Sequence, residues 1–246
     1  MKIELHAVSK GRGGQALPET SLTYRTGTAT VAFAETEQRP TVLGLIASGR
    51  MRPDTGRVTI ADGEDAALLR RRVALIDAPD VNDPPPDVAV AGVVAEELMF
   101  AGLPATPLHA RRWLKHIGYP ELASVPIGAV ATAARVRILC ELAVLRDGVE
   151  GMVIVHPDRH GGRPESWWPV VQEFAERGMA MLVVVGGAAA ATIERMPSSS
   201  PPAPSSSLPS SAPLGIDGAP TYVRDFDGAS TTPRGVDGDE QEEEER

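Results

Sequence analysis

Hydrophobic and polar positions along this chain follow the period of strands in some segments and the period of helices in others. Two segments near the start alternate as half-buried strands do, Ile3–Val8 and Ser21–Tyr24. Short apolar runs predict further strands at Ala29–Phe33, Arg57–Ile60, Val73–Ile76, Gly151–Val155 and Met179–Val185. Helical spacing predicts helices at Thr41–Ser48, Glu64–Arg72, Ala91–Ala101, Pro107–Ile117, Thr132–Leu145, Pro164–Arg177 and Ala188–Met196. Apolar strands that alternate with helices indicate an α/β fold with a mainly parallel sheet covered on both faces.

The character of the chain changes after Met196. A Pro/Ser-rich stretch, PSSSPPAPSSSLPSSAP, leads to the acidic end DGDEQEEEER, which predicts a disordered tail over residues 197–246. The tail carries ten acidic residues and three arginines, so most of the net charge of −9 belongs to it. One folded domain is therefore predicted over residues 1–196, with a helical subdomain at about 88–145.

The amino-acid composition excludes several classes of protein. Three lysines against 21 arginines suggest a high-GC bacterial source, and no basic block marks a nucleic-acid surface. The single cysteine, Cys140, excludes an internal disulfide, fits a reducing compartment and is expected to be a buried hydrophobe. The longest apolar run, Gly178–Ile193, is shorter than the roughly 20 residues that span a bilayer. Neither a transmembrane segment nor a signal peptide is expected.

The stretch from Thr28 to Ile60 has the layout of a strand, a phosphate-binding loop, a helix, a turn and a strand. Its loop departs from the expected chemistry, because charged residues, a glutamine and a proline replace the usual glycines, lysine and hydroxyl residue: Glu35, Glu37, Gln38, Arg39 and Pro40. Carboxylates at the start of a helix repel an anion that would bind there. Pro40 lacks both a backbone N–H and a hydroxyl group. Pro40 nevertheless suits the first turn of a helix. Arg39 and Thr41 remain as candidate phosphate contacts.

The segment PTVLGLIASGRMRPDTGRVTI resembles the ATP-binding cassette (ABC) ATPases, in which the nucleotide-gripping helix precedes a Pro-Asp-Ser/Thr-Gly turn and a strand. The order of later elements is also similar. ARVRILCELAVL looks like the helix after the family's signature motif, MVIVHPDRHGGRPE like its second acidic motif, and GMAMLVVVGG like its switch strand. The resemblance covers Met1–Met196. It implies a P-loop NTPase-like core with a mixed, mainly parallel sheet flanked by helices, and a helical subdomain.

The resemblance also places the family's functional positions on this chain. Aligned on Thr41, the glycine positions of the phosphate loop fall at Phe33, Thr36 and Gln38. The glutamine that senses Mg²⁺ in the family falls at Ala78, and the signature Ser-Gly-Gly falls near Ala129, Val130 and Ala131. The aspartate of the second acidic motif falls at His156, and the glutamate that polarises water falls at Pro157. The switch histidine falls at Gly186. Proline has no ionisable group and cannot act as a general base.

These replacements predict no catalytic residue, no metal and no cofactor. The expected function is that of a non-catalytic subunit, structural or regulatory, on the cytoplasmic side of a membrane. Its partner would be a polytopic membrane protein, an active ABC ATPase homologue, or both. Two alternatives stay open: an ABC ATPase that binds ATP weakly through Arg39 and Thr41, and a free-standing interaction scaffold.

Three other features have competing interpretations. His156 and His160 flank Asp158 and suggest a metal site, but Pro157 and the preceding strand break helical spacing, so surface-loop histidines are expected. Gly11–Gly14 is too short for a dinucleotide-binding motif and is expected to be a flexible loop. Trp167–Trp168 could contact a partner, although at least one of two adjacent aromatics on a helix usually lies in the core.

Overall fold

The computed structural model describes residues 1–34 and 39–196, and all statements below concern those ranges. Residues 35–38 and the tail, 197–246, lie outside them, so the predictions made for those residues stay predictions. The seven strands are β1 (Lys2–Lys10), β2 (Leu17–Arg25), β3 (Thr28–Phe33), β4 (Thr55–Ile60), β5 (Val73–Ile76), β6 (Gly151–Val155) and β7 (Ala180–Val185). The seven α-helices are α1 (Arg39–Ala47), α2 (Ala66–Arg72), α3 (Val90–Phe100), α4 (Pro107–His116), α5 (Thr132–Ala143), α6 (Pro164–Glu176) and α7 (Gly187–Glu194).

Each strand and helix predicted from periodicity is present, and the differences lie at the ends. The two alternating segments near the start grow to nine residues each, because β1 and β2 pair with each other as an antiparallel ladder. Gly11–Gly14 lies in the connection between β1 and β2, where a loop was predicted, and Arg12–Gly14 forms a single 3-10 turn there. Asp54 braces that turn by accepting from Lys10 Nζ at 2.5 Å and from the Gly11 amide at 2.9 Å.

The strands divide into two sheets. The parallel sheet has the order β3-β7-β6-β5, and the antiparallel sheet has the order β2-β1-β4. Every residue of β5, β6 and β7 is buried, which explains why these strands are continuously apolar instead of alternating. The resemblance implied an α/β fold with one mixed, mainly parallel sheet. The α/β class is confirmed, whereas the parallel and antiparallel strands form two separate sheets.

Helix α1 packs against both sheets. A Cβ atom at Gly44 would lie 2.5 Å from Val155 Cγ2, so glycine allows the helix to approach β6 this closely. On its other side, the buried Tyr24 hydroxyl of β2 donates to the Ala47 carbonyl at 2.7 Å. The first helix of the predicted phosphate-loop unit is thus held by the core.

Helices α3, α4 and α5 form the helical part of the chain between β5 and β6. The separate helical subdomain at about 88–145 stays a prediction. Helix α3 packs against both α4 and α5. Cys140 of α5 is fully buried, and desolvation raises the pKa of its thiol, as expected for a cysteine in the core.

Trp167 and Trp168 are both buried, with their rings edge to face at 6.3 Å. The core interpretation therefore holds for both tryptophans, and neither side chain is available for the partner contact considered above. Within the described ranges, no helix is long and apolar enough to cross a membrane.

Candidate functional site

The predicted site residues gather mainly at one edge of the parallel sheet. Strands β3, β5, β6 and β7 run in the same direction, so their carboxyl ends share an edge, where open α/β sheets bind ligands. Four predicted positions directly follow these strands: Ala78, His156, Pro157 and Gly186. The other group, Ala129, Val130 and Ala131, lies in the segment that leads to α5.

Helix α1 begins at Arg39, in agreement with the predicted helix start. Pro40 is buried in its first turn, whereas Arg39 and Thr41 are partly exposed. The preceding strand continues its pairing up to Ala34, whose amide donates to the Val185 carbonyl at 3.1 Å. The strand and the helix of a phosphate-loop unit are therefore in place on both sides of residues 35–38.

A buried ion pair that the sequence reasoning missed lies at the end of β5. Asp77 follows the strand in a left-handed conformation, with φ of 57°, and its side chain is 2% exposed. Its Oδ1 accepts from Arg135 Nη2 at 2.6 Å, and its Oδ2 accepts from Arg135 Nε at 3.0 Å. Arg135 of α5 is equally buried, and its Nη1 donates to the Ile127 carbonyl at 3.1 Å. The pair joins the sheet edge to the helical part by a two-pronged contact.

Two residues that follow β6 complete the surroundings of Asp77. Arg159 donates to the Asp77 carboxylate at 3.1 Å and to its backbone carbonyl at 2.7 Å. His160 Nε2 lies 2.8 Å from Asp77 Oδ2. Both belong to a 3-10 helix, Pro157–His160. The expectation of surface-loop histidines is therefore wrong for His160, because its ring contacts the buried carboxylate of Asp77, which follows β5.

The electrostatics of this cluster favour an ionised Asp77. Burial by itself raises the pKa of the carboxyl group, but hydrogen bonds from His160 and Arg135 and the charges of Arg135 and Arg159 outweigh it. The pKa of Asp77 consequently lies well below its usual range. Such a charge is tolerated in the interior because donors surround both of its oxygens.

A second group links β6 to the start of α7. The Gly186 amide donates to Asp158 Oδ2 at 3.1 Å, while Asp158 Oδ1 is buried without a hydrogen-bond partner. His156 Nε2 lies 3.8 Å from that oxygen, and His156 has a left-handed backbone with φ of 54°. A Cβ atom at Gly186 would lie 3.2 Å from Asp158 Oδ2. Asp158 thus stabilises the turn between β7 and α7.

The metal-site interpretation of HPDRH gains no support from this geometry. His160 and His156 turn to different carboxylates, Asp77 and Asp158. Among the residues that the structure describes, no group of three or more His, Cys, Asp or Glu side chains could hold a metal ion.

With the geometry in place, the fold can be compared with solved structures. It is similar to an ABC transporter ATP-binding protein from Pyrococcus furiosus, with a TM-score of 0.52, 14% identity, and coverage of 76% of this chain and 92% of that one. An ATP-binding subunit of an ABC transporter matches with a TM-score of 0.52, 18% identity, and coverage of 78% and 82%. CbiO1 from Clostridium perfringens, part of an ABC transporter complex, matches with a TM-score of 0.52, 15% identity, and coverage of 75% and 77%.

These likenesses show the class of fold. The chain has the P-loop NTPase-like α/β fold of ABC ATP-binding domains, which confirms the fold that the sequence resemblance implied. The sequence matches no protein-family model and no curated protein.

Two sequence signals could have revealed the Asp77 cluster. Asp77 follows the apolar run Val73–Ile76, so it had to lie at the carboxyl edge of the sheet. Arg135 precedes Ile138 and Leu139 by three and four positions, which places a charge on the apolar face of its helix. A charge on a buried face implies a partner of opposite sign.

The first prediction concerns the contribution of this cluster to stability. Asp77→Asn should lower the free energy of unfolding by about 3–5 kcal/mol, because it leaves the buried Arg135 charge without a counter-ion. Urea unfolding followed by circular dichroism measures the change. Asp83→Asn is the matched control: its carboxylate is 35% exposed and 3.5 Å from Arg159, so its loss should cost less than about 1 kcal/mol. Equal effects of the two substitutions would contradict a central role for Asp77.

The second prediction concerns pH. Because the pKa of Asp77 is depressed in the folded state, its stabilising contribution is complete above the unfolded-state value of about 3.9 and is lost as pH falls below it. The unfolding free energy of the native chain should therefore decline more steeply below about pH 4 than that of Asp77→Asn. Unfolding curves between neutral and strongly acidic pH measure both slopes. Parallel curves would show that Asp77 is not responsible for the acid sensitivity.

Proposed function

We propose that this chain is a non-hydrolysing ABC ATPase-like subunit that acts as a structural or regulatory partner. The partner would be a polytopic membrane protein of a transporter, an active ABC ATPase, or both, on the cytoplasmic side of the membrane. The fold supports the ABC ATPase-like part of this proposal, because the similar solved structures are ATP-binding domains of ABC transporters. The partner extends to this chain the membership of one of those proteins in a transporter complex. The lack of hydrolysis rests on the residues of the site.

The observation that carries the proposal is the chemistry at the carboxyl edge of the parallel sheet. Pro157, at the position of the family's water-polarising glutamate, is buried and has no proton to exchange. The nearby carboxylates are enclosed: Asp77 binds Arg135, and Asp158 accepts from the Gly186 amide through Oδ2 while its Oδ1 is buried. An edge that hydrolyses nucleotide needs a free base and a metal ligand, and here both carboxylates stabilise the fold.

The residues at the start of α1 also disfavour nucleotide hydrolysis. A magnesium–nucleotide site needs a hydroxyl ligand and free backbone N–H groups at this place. Pro40 supplies neither, and its buried ring packs within the first turn. Pro40 at this position therefore does not fit a bound magnesium ion.

Weak nucleotide binding is the second candidate, and one observation favours it. Arg39 and Thr41 are partly exposed at the start of a nine-residue helix, where the helix dipole favours a negative charge. A guanidinium and a hydroxyl at this position could hold a phosphate group without metal. Such binding would leave the proposed lack of hydrolysis intact.

The third prediction tests nucleotide chemistry directly. Calorimetric titration of the full-length protein with millimolar MgATP should give no saturable heat, and phosphate release should equal that of buffer. Saturable binding without turnover that Arg39→Ala abolishes would favour the weak-binding alternative. Arg71→Ala is the matched control, since it removes an exposed arginine from another helix, α2. Micromolar affinity with turnover would refute the proposal.

The fourth prediction concerns the partner. Affinity-tagged full-length chain should co-purify with a polytopic membrane protein or an active ABC ATPase from detergent-solubilised membranes of its source. A chain that ends at Met196, checked for an unchanged free energy of unfolding, should retain that partner. Loss of every partner on removal of residues 197–246 would favour the free-standing scaffold instead.

A further inference from the structure

The hairpin formed by α3 and α4 has an apolar tip. Met99 and Phe100 end α3, and Leu108 lies in the first turn of α4; they are 58%, 62% and 55% exposed. They account for three of the five large hydrophobic side chains that are exposed in the described ranges. Neighbouring apolar side chains left in water are typical of an interaction surface.

A basic stripe continues from this tip along α4. Arg111, Arg112 and Lys115 follow Leu108 at spacings of three, four and seven, so the four share one face of the helix. All four are exposed, whereas Ala110, Trp113 and Leu114 on the opposite face are buried. Within residues 1–34 and 39–196, none of the three cations pairs with a carboxylate, unlike the arginines around Asp77.

Acidic residues are missing from the whole segment. From Leu98 to Pro120 the sequence contains no Asp or Glu, although the chain has 33 acidic residues and a net charge of −9. Of the two acids that precede the segment, Glu97 is paired with Arg146, and Glu96 is exposed one turn before Met99, so the three cations outnumber the one unpaired acid. We call Met99, Phe100, Leu108 and the basic stripe the hairpin surface. The electrostatic potential at this surface is positive, because salt screens the charges of distant acidic residues.

We propose that the hairpin surface binds an anionic lipid bilayer. Phenylalanine, leucine and methionine side chains can enter the boundary between headgroups and acyl chains, while basic residues beside them attract anionic headgroups. Each lysine or arginine near such a surface strengthens binding by about a factor of five. The tip and the stripe supply both interactions on adjoining parts of one hairpin.

An acidic protein segment is the other occupant to consider. A partner helix normally lays its apolar side into a groove. The three apolar side chains here are each more than half exposed, so none of them lies deep in a groove. This geometry favours a flat, deformable lipid surface. The inference does not depend on whether the chain hydrolyses nucleotide, and pure lipid vesicles test it without any transporter protein.

The fifth prediction uses co-sedimentation of the full-length protein with vesicles. Binding is expected to phosphatidylcholine vesicles that contain phosphatidylglycerol, and not to pure phosphatidylcholine. It should weaken as salt rises, because the screening length falls from about 10 Å at 0.1 M to about 3 Å at 1 M. The triple change R111Q/R112Q/K115Q should lower the partition constant on the order of 100-fold, and Phe100→Ala should lower it less.

A matched triple variant provides the control. R12Q/R25Q/R71Q removes the same charge from exposed positions outside the hairpin surface and should leave the partition constant within about twofold, since distant exposed charges are screened. Absence of vesicle binding by the native chain would overturn the proposal and point to a protein partner. Equal loss in both triple variants would overturn it as well, because attraction would then be a property of overall charge.

Discussion

The buried ion pair between Asp77 and Arg135 fixes how the helical part of this chain meets its parallel sheet. Two buried charges cost several kcal/mol each to remove from water, and only a geometry that satisfies both makes the arrangement tolerable. Asp77 meets this requirement with donors from α5 and from the turn after β6. The end of β5, the helical part and the end of β6 must therefore adopt one mutual arrangement, or a charge is left buried without a partner.

This arrangement has a chemical consequence. The carboxyl edge of a parallel sheet is where α/β folds place ligands, since strand ends and helix starts converge there. In this chain the edge is filled by its own ion pairs and by a buried proline, Pro157. Groups that could bind metal or activate water are used to hold secondary structure together. Under the proposed function, the contacts that stabilise this edge would also be the reason that it does not hydrolyse nucleotide.

The helical part presents different chemistry at its two ends. Its inner end contributes Arg135 to the sheet edge, in a site closed to water. Its outer end, the hairpin surface, leaves apolar and basic side chains unpaired in the described ranges. The two ends belong to one packed group of helices, because α3 packs against α5. A contact made at the hairpin surface would accordingly act on a body whose orientation relative to the sheet is already set.

The sequence by itself determined the elements and the class of fold, because buried parallel strands read as continuous apolar runs and helices repeat every three to four residues. It also placed Ala78, His156, Pro157 and Gly186 after strands, hence at one edge. Only the tertiary structure decided which strands pair, and thus the division into two sheets, since pairing joins segments distant along the chain. The same holds for the partners of Asp77, because Arg135 and Arg159 lie 58 and 82 residues away. Local periodicity indicates whether a side chain is buried. It carries no information about which distant charge that side chain contacts.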